Sequence, residues 1–232
     1  MITSKLMLPS LHNKKILEIC SGKSIFLDYV LKNMPNTRLL SINISEELNH
    51  KLRRQYGIMD NVRLRYGKTE ELDYVEQFDV VVSVNSMQFS KNKDLAMEKL
   101  KQSLKPNGTF LLYAPIKEPS PLSAVLQHPK WSEYLKENEL TYLSYLEYRK
   151  LVGKYFENTI DKHFHHQSKF KDSNTLFEYI FQWLPSYIPY ELSEEFKRDF
   201  TLEYLNLKPP MADGSVVYDI QMIESLSVKK YD

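Results

Sequence analysis

The residues best placed for chemistry lie in Ile16-Leu17-Glu18-Ile19-Cys20-Ser21-Gly22-Lys23-Ser24. A short apolar run carries an acid, Glu18, into a tight turn that holds Gly22 and opens a helix. Many α/β proteins seat a nucleotide at such a junction, because glycine lets the backbone approach a ligand that side chains would block. Cys20 is the single cysteine, and no histidine stands near it in sequence. It reads as a loop residue rather than a nucleophile, since a thiol needs a neighbouring base to act. No Ser-His-Asp or Cys-His array is apparent.

A second candidate is Asp161-Lys162-His163-Phe164-His165-His166. On a strand, His163 and His165 share one face, as a metal pair would require. No cysteine or suitably spaced carboxylate accompanies them or His166, so a partly exposed strand is the expectation and no metal is expected. Arg149, with Lys150 and Lys154, lies near the end of a helix. Arginine could grip a carboxylate bidentately, or these cations could simply favour the helix C-terminus and face solvent. Tyr142, Tyr145, Tyr148, Phe177, Tyr179, Phe181 and Trp183 could line a pocket or pack between helices.

The elements that must position these residues alternate. Lys15–Cys20, Arg38–Ile44, Val62–Tyr66, Phe78–Ser83 and Thr109–Tyr113 read as strands. Ser24–Lys32, Ser45 to about Tyr56, and Asp94–Leu104 read as helices. Ser45 offers a hydroxyl cap followed by Glu46 and Glu47, which suit free N–H groups and the helix dipole. Lys105-Pro106-Asn107-Gly108 reads as a turn. Strand–helix alternation over residues 15–114 predicts right-handed βαβ units in a parallel sheet. Ligands of such sheets lie beyond the carboxyl ends of the strands, where strand order reverses. After Ala114 the pattern changes. Residues 115–130 carry repeated prolines, and Trp131–Val152 is aromatic-rich and mostly helical. Asn158–Gln167 suits a strand, Thr175–Trp183 and Ser193–Leu205 suit helices, and Ser215–Val228 a last strand, antiparallel at the end of the sheet.

Composition excludes several classes. Lys and Arg number 31 against 30 for Asp and Glu, so no electrostatic footprint for nucleic acid is expected. A lone cysteine excludes an internal disulfide framework and suits a reducing compartment. No apolar run reaches the ~18 residues of a membrane span, and the N-terminal segment lacks the apolar region of a signal peptide. A cytoplasmic protein is expected.

Residues 15 to about 115 resemble the class I S-adenosylmethionine-dependent methyltransferases. ILEICSGKS is similar to the family's first motif, an acid followed by G-x-G-x-G. Leu39–Ser45 is similar to the second-strand motif, where an acid normally ends the strand. Asn61–Leu72 is similar to the third, N-V-x-x-x-x-G-D-A-x-x-L. Phe78–Ser83 and Leu104–Gly108 look like the fourth strand and the LKPGG turn. Asn85-Ser86-Met87-Gln88-Phe89 resembles the N-A-x-x-Q-W segment of trans-aconitate and malonyl-carrier-protein methyltransferases. Both groups methylate carboxylates.

The resemblance implies a Rossmann-like, seven-stranded, mostly parallel sheet with helices on both faces and a helical cap insertion. It implies a single domain over 1–232: a cofactor-binding core at 15–114, a cap or substrate segment at 115–156, and completion of the sheet at 157–232. It implies S-adenosylmethionine as cofactor, held by Glu18, Cys20, Gly22, Asn43, Ile44, Lys68, Thr69 and Asn85. Gln88 and Arg149 are the candidates for positioning a small-molecule or carrier-bound acceptor. The motifs depart from the family at named positions. Cys20 and Ser24 replace glycines, Asn43 stands for the ribose-binding acid, and Lys68 stands for the adenine-side Asp. Asn binds a hydroxyl without charge, and Lys only donates. Two readings follow: a methyltransferase with a divergent pocket, acting on a carboxylate oxygen, or a methyltransferase-like binding or scaffold subunit without catalysis.

Overall fold

The computed structural model describes residues 10–21, 25–34, 36–117, 120–136, 141–181 and 188–231. Gly22, Lys23, Ser24 and Trp183 lie outside the described residues.

The first half alternates as its sequence pattern predicts. Strand β1 (Lys15–Cys20) leads to α1 (Ile25–Asn33), β2 (Arg38–Asn43), α2 (Glu46–Tyr56) and β3 (Val62–Tyr66). Then come β4 (Phe78–Val84), α3 (Lys93–Ser103) and β5 (Leu104–Pro115). Caps fix the helix starts. Ser45 Oγ accepts the Leu48 N–H at 3.4 Å, and Asn92 Oδ1 accepts the Leu95 N–H at 3.0 Å, each satisfying a donor with no partner inside the helix. Gly57 follows α2 and donates its N–H to the Arg53 carbonyl. A Cβ at Gly57 would lie 2.4 Å from that carbonyl oxygen, so this close approach requires glycine.

The second half comprises α4 (Pro121–Leu126), α5 (Pro129–Lys136), α6 (Tyr145–Tyr155), β6 (Phe156–Phe170), α7 (Ser173–Phe181), α8 (Ser193–Leu207) and β7 (Val216–Lys229). The sheet has seven strands in the order β3-β2-β1-β4-β5-β7-β6. Strands β1 to β5 pair in parallel, and β7 is antiparallel to both neighbours. The parallel part is what the strand–helix alternation predicts, and the whole is the Rossmann-like, seven-stranded sheet that the resemblance implies. Two local expectations shift. The last strand is antiparallel but lies inside the sheet, because β6 pairs along its other side and takes the edge. The Lys105–Gly108 turn is absorbed into β5: Leu104 pairs with Phe78 and Thr109 with Val80, so the intervening residues bulge. Asn107 turns the chain there at φ 59, a left-handed value that Asn tolerates better than most residues.

Helices cover both faces. One face packs Leu17, Ile19, Val81, Phe110 and Leu112 against α3 and α6. On the other, α1 and α2 cover β1 to β3, while α4, α5, α7 and α8 enclose an aromatic cluster over β5 and β7. Phe196 is the hub of that cluster, with ring centroids of Trp131 at 5.1 Å and Phe200 at 5.8 Å. The aromatics around Phe177 and Phe181 are thus packing between helices. Among the described residues, no helix is long and apolar enough to cross a membrane.

Candidate functional site

Strand order reverses between β1 and β4, which lie side by side. Register brings their ends level: Cys20 faces Asn43 on one side and Val84 on the other, and Asn43 faces Tyr66. The turns after these strands therefore converge on one crevice, where open α/β sheets bind ligands. Main-chain bonds tie them together. The Ile44 N–H donates to the Cys20 carbonyl at 3.1 Å, and the Gly67 N–H to the Asn43 carbonyl at 3.2 Å.

Behind the crevice runs a buried polar ladder on one sheet face. Glu18 is fully buried, and Ser41 Oγ donates to its Oε2 at 2.6 Å. Ser41 also lies 3.7 Å from Cys20 Sγ. Asn43 Nδ2 donates to that sulfur at 3.5 Å, while Asn43 Oδ1 accepts the Ser45 N–H at 2.8 Å. A buried carboxylate must find donors, so Ser41 is part of the reason Glu18 can be there. Ser41 was not singled out by its type; its signal is the two-residue alternation of Ser41 and Asn43 within β2.

The turn after β4 forms a second hub. Asn85 sits at φ 48, and its N–H donates to the Tyr113 carbonyl at 2.8 Å. Its own carbonyl accepts from Ser21 Oγ and from Gln88 Nε2, the latter at 2.9 Å. That carbonyl only accepts, which fixes the Gln88 amide with nitrogen toward it. Gln88 Oε1 is then left buried with no partner among the described residues. The open end of Gln88 is an acceptor, so it suits a ligand N–H or O–H.

The remaining candidates scatter. Thr69 is buried at the start of a short 3₁₀ turn, whereas Lys68 is exposed and lies 3.9 Å from Glu71. Arg149 is not in the crevice. Its Nε lies 3.2 Å from Asp161 Oδ2 on the edge strand β6, which β4, β5 and β7 separate from β1. His163 contacts Gln221 at 2.7 Å, His165 contacts Asp219 at 3.1 Å, and His166 contacts Ser168 at 3.0 Å. Among the described residues no His, Cys, Asp or Glu cluster is arranged to hold a metal.

Beside the crevice is a cavity of about 630 Å³ between the end of β5, α4, the 141–142 segment and β7. Lys117, Ser120, Gln127, Thr141 and Tyr142 contribute its polar wall. Burial pushes the Tyr142 phenol well above its usual range, so it stays protonated. The Thr141 N–H donates to the Gln88 carbonyl at 2.9 Å, which joins the cavity wall to the turn after β4.

Comparison with known proteins agrees with this architecture. Residues 17–110 match the methyltransferase domain family. A malonyl-[acyl-carrier protein] O-methyltransferase 2 of Ilyobacter polytropus is 27% identical over 96 residues, 41% of this chain and 37% of that protein. A malonyl-[acyl-carrier protein] O-methyltransferase of Calditerrivibrio nitroreducens is 27% identical over 150 residues, 65% of this chain and 54% of that protein. The chain thus spans about a third to a half of these curated relatives. Among solved structures, a Bacillus halodurans protein assigned to the methyltransferases superposes with TM-score 0.65 at 13% identity, covering 99% of this chain and 97% of that one. Phosphoethanolamine N-methyltransferase 2 of Haemonchus contortus, solved with S-adenosylhomocysteine, superposes with TM-score 0.62 at 13% identity, covering 96% of this chain and 51% of that one.

Proposed function

We propose, on the premise that the chain is a class I methyltransferase by its fold and by the family match over residues 17–110, that it transfers a methyl group from S-adenosylmethionine to a carboxylate oxygen. The observation that supports this reading best is the crevice at the β1–β4 reversal, where the buried Gln88 Oε1 lacks a donor. S-adenosylmethionine carries such donors on its ammonium, ribose and adenine groups. When bound, the cofactor supplies a methyl group already attached to a good leaving group.

In this reading Cys20, Asn43, Ile44, Lys68, Thr69 and Asn85 surround the cofactor, and Gly22, outside the described residues, is the remaining member of the set. Glu18, fully buried and bonded to Ser41, shapes the turn after β1 rather than touching the ligand. Residues 15–114 form the cofactor core, 115–156 cap the acceptor, and 157–232 complete the sheet. The acceptor is a small or carrier-bound acid, as the names of the malonyl-carrier relatives suggest. A carboxylate is already ionised at neutral pH, so no protein base is needed. The protein's task is alignment and exclusion of water. A balanced charge argues against nucleic acid, and a lone buried cysteine suits the cytoplasm.

One observation favours a second reading, a methyltransferase-like binding subunit without turnover. At position 43 the side chain is neutral, and both ends of its amide have partners within the protein. Calorimetric titration with S-adenosylmethionine and S-adenosylhomocysteine decides. Saturable heat is expected from both, followed by methyl transfer to a carboxylic acid. Absence of heat at millimolar cofactor would refute the enzyme reading.

A further inference from the structure

Lys93, at the start of α3, is a half-buried cation whose nearest partners carry no charge. Its ammonium donates to the Ser90 carbonyl at 3.0 Å and to Thr141 Oγ1 at 2.5 Å. Among the described residues no carboxylate forms an ion pair with it. Its neighbour Asp94 is taken by Lys154 at 2.6 Å, and Glu70 accepts the Asn92 N–H at 3.3 Å. Burial pushes the Lys93 ammonium down to about 8, with Glu70 opposing at longer range. A cation drawn out of water without a counter-ion is costly unless something anionic completes it.

The surroundings indicate what that is. Thr141, which Lys93 holds by its hydroxyl, lines the 630 Å³ cavity. That volume lies within the range of small-molecule pockets. Among the described residues its wall includes Lys117 and several hydroxyls, and no Asp or Glu. Gln88, joined to the same Thr141 through main chain, holds its Oε1 buried, and that acceptor would repel a carboxylate. Arg149 is already paired with Asp161. Lys117 stands in the wall itself, with Glu147 at longer range, and Lys93 reaches the wall through its bond to Thr141, with no ion-pair partner among the described residues.

We propose that this cavity is the acceptor pocket and that Lys93, set by Thr141, anchors the acceptor's carboxylate. The inference rests on the methyltransferase reading for the word acceptor. The anion site stands on its own geometry. With carboxylate bound, the Lys93 ammonium keeps Ser90 and turns a charge-assisted hydrogen bond to the ligand. It is a binding residue and takes no part in breaking or forming bonds.

The test uses the full chain and a panel of mono-, di- and tricarboxylates, titrated with and without saturating S-adenosylhomocysteine. At least one acid should bind the wild type. Lys93→Met should weaken it roughly ten- to a hundredfold, the usual effect of deleting a charge-assisted bond. Lys93→Arg should restore most of the loss, and Thr141→Val should weaken binding less than Lys93→Met. Unaltered affinity of Lys93→Met for S-adenosylhomocysteine would show that the variant is folded. Equal carboxylate binding by wild type and Lys93→Met overturns the inference, as does failure of every acid in the panel to bind the wild type. A protein that binds acids through Lys93 but not S-adenosylhomocysteine would instead overturn the methyltransferase reading alone.

Discussion

Asn43→Asp restores the acid that usually ends the second strand, and the structure predicts what that restoration costs. Asn43 is fully buried. The new carboxylate keeps one favourable contact, because the Ser45 N–H at 2.8 Å becomes a charge-assisted donor at the start of α2. That gains about 0.5–1 kcal/mol. It loses the amide bond to Cys20 Sγ, a weak one at 3.5 Å. It also places a second carboxylate on the ladder that already holds Glu18. An uncompensated buried charge costs about 3–5 kcal/mol, so the net loss at pH 8 is about 2–4 kcal/mol. In a chain of this size that lowers the melting temperature by about 4–16 °C. The sign with pH follows from burial. A buried carboxyl has its pKa raised, so the penalty is absent below the unfolded value of about 3.9 and grows as pH rises through it. Thermal melts of variant and wild type should therefore differ little at pH 4 and widely at pH 8. Saturating S-adenosylhomocysteine should narrow the gap at pH 8, since ribose hydroxyls would donate to Asp. A gap of equal size at both pH values, or none at pH 8, would refute the assignment of Asn43 as a buried, internally bonded residue.

Two further outcomes are expected. Lys68→Asp alters an exposed side chain whose ion-pair partner among the described residues, Glu71, is 3.9 Å away, so urea unfolding should shift by less than about 0.5 kcal/mol, while calorimetry should show tighter S-adenosylhomocysteine binding. Phe196→Ala removes the fully buried hub of the α4–α5–α7–α8 cluster and should cost about 3–5 kcal/mol in urea denaturation.

The sheet was legible where the chain itself carries the signal. β1 and β3 match their sequence bounds because buried strands declare themselves as short apolar or alternating runs between polar residues. What was not legible depended on pairing across the chain. Residues 105–108 hold proline, asparagine and glycine, yet Leu104 before them pairs with Phe78 and draws them into a bulge. β7 reads as a last strand, but only its two pairings place it inside the sheet. The site divides the same way. Spacing located the turns after β1 to β4. It did not disclose that Arg149 pairs with Asp161, nor that Lys93 meets Thr141 across 48 residues.

The departures from the usual cofactor motifs also change character once the strands are paired. In sequence Cys20 and Asn43 are separate losses, a glycine on one strand and an acid on the next. In the sheet they are register partners, and the amide of one donates to the sulfur of the other. A glycine at 20 would leave Asn43 Nδ2 without that acceptor. An acid at 43 would set two carboxylates on one buried ladder with Glu18. Each substitution fits the other, so the pair counts as one change in the β1–β2 end rather than two independent failures. Lys68 stands outside that pair, exposed and loosely held. The departures thus come to one coupled pair at the β1–β2 end and one exposed side chain, beside a turn after β4 whose Gln88 Oε1 is buried without a partner among the described residues.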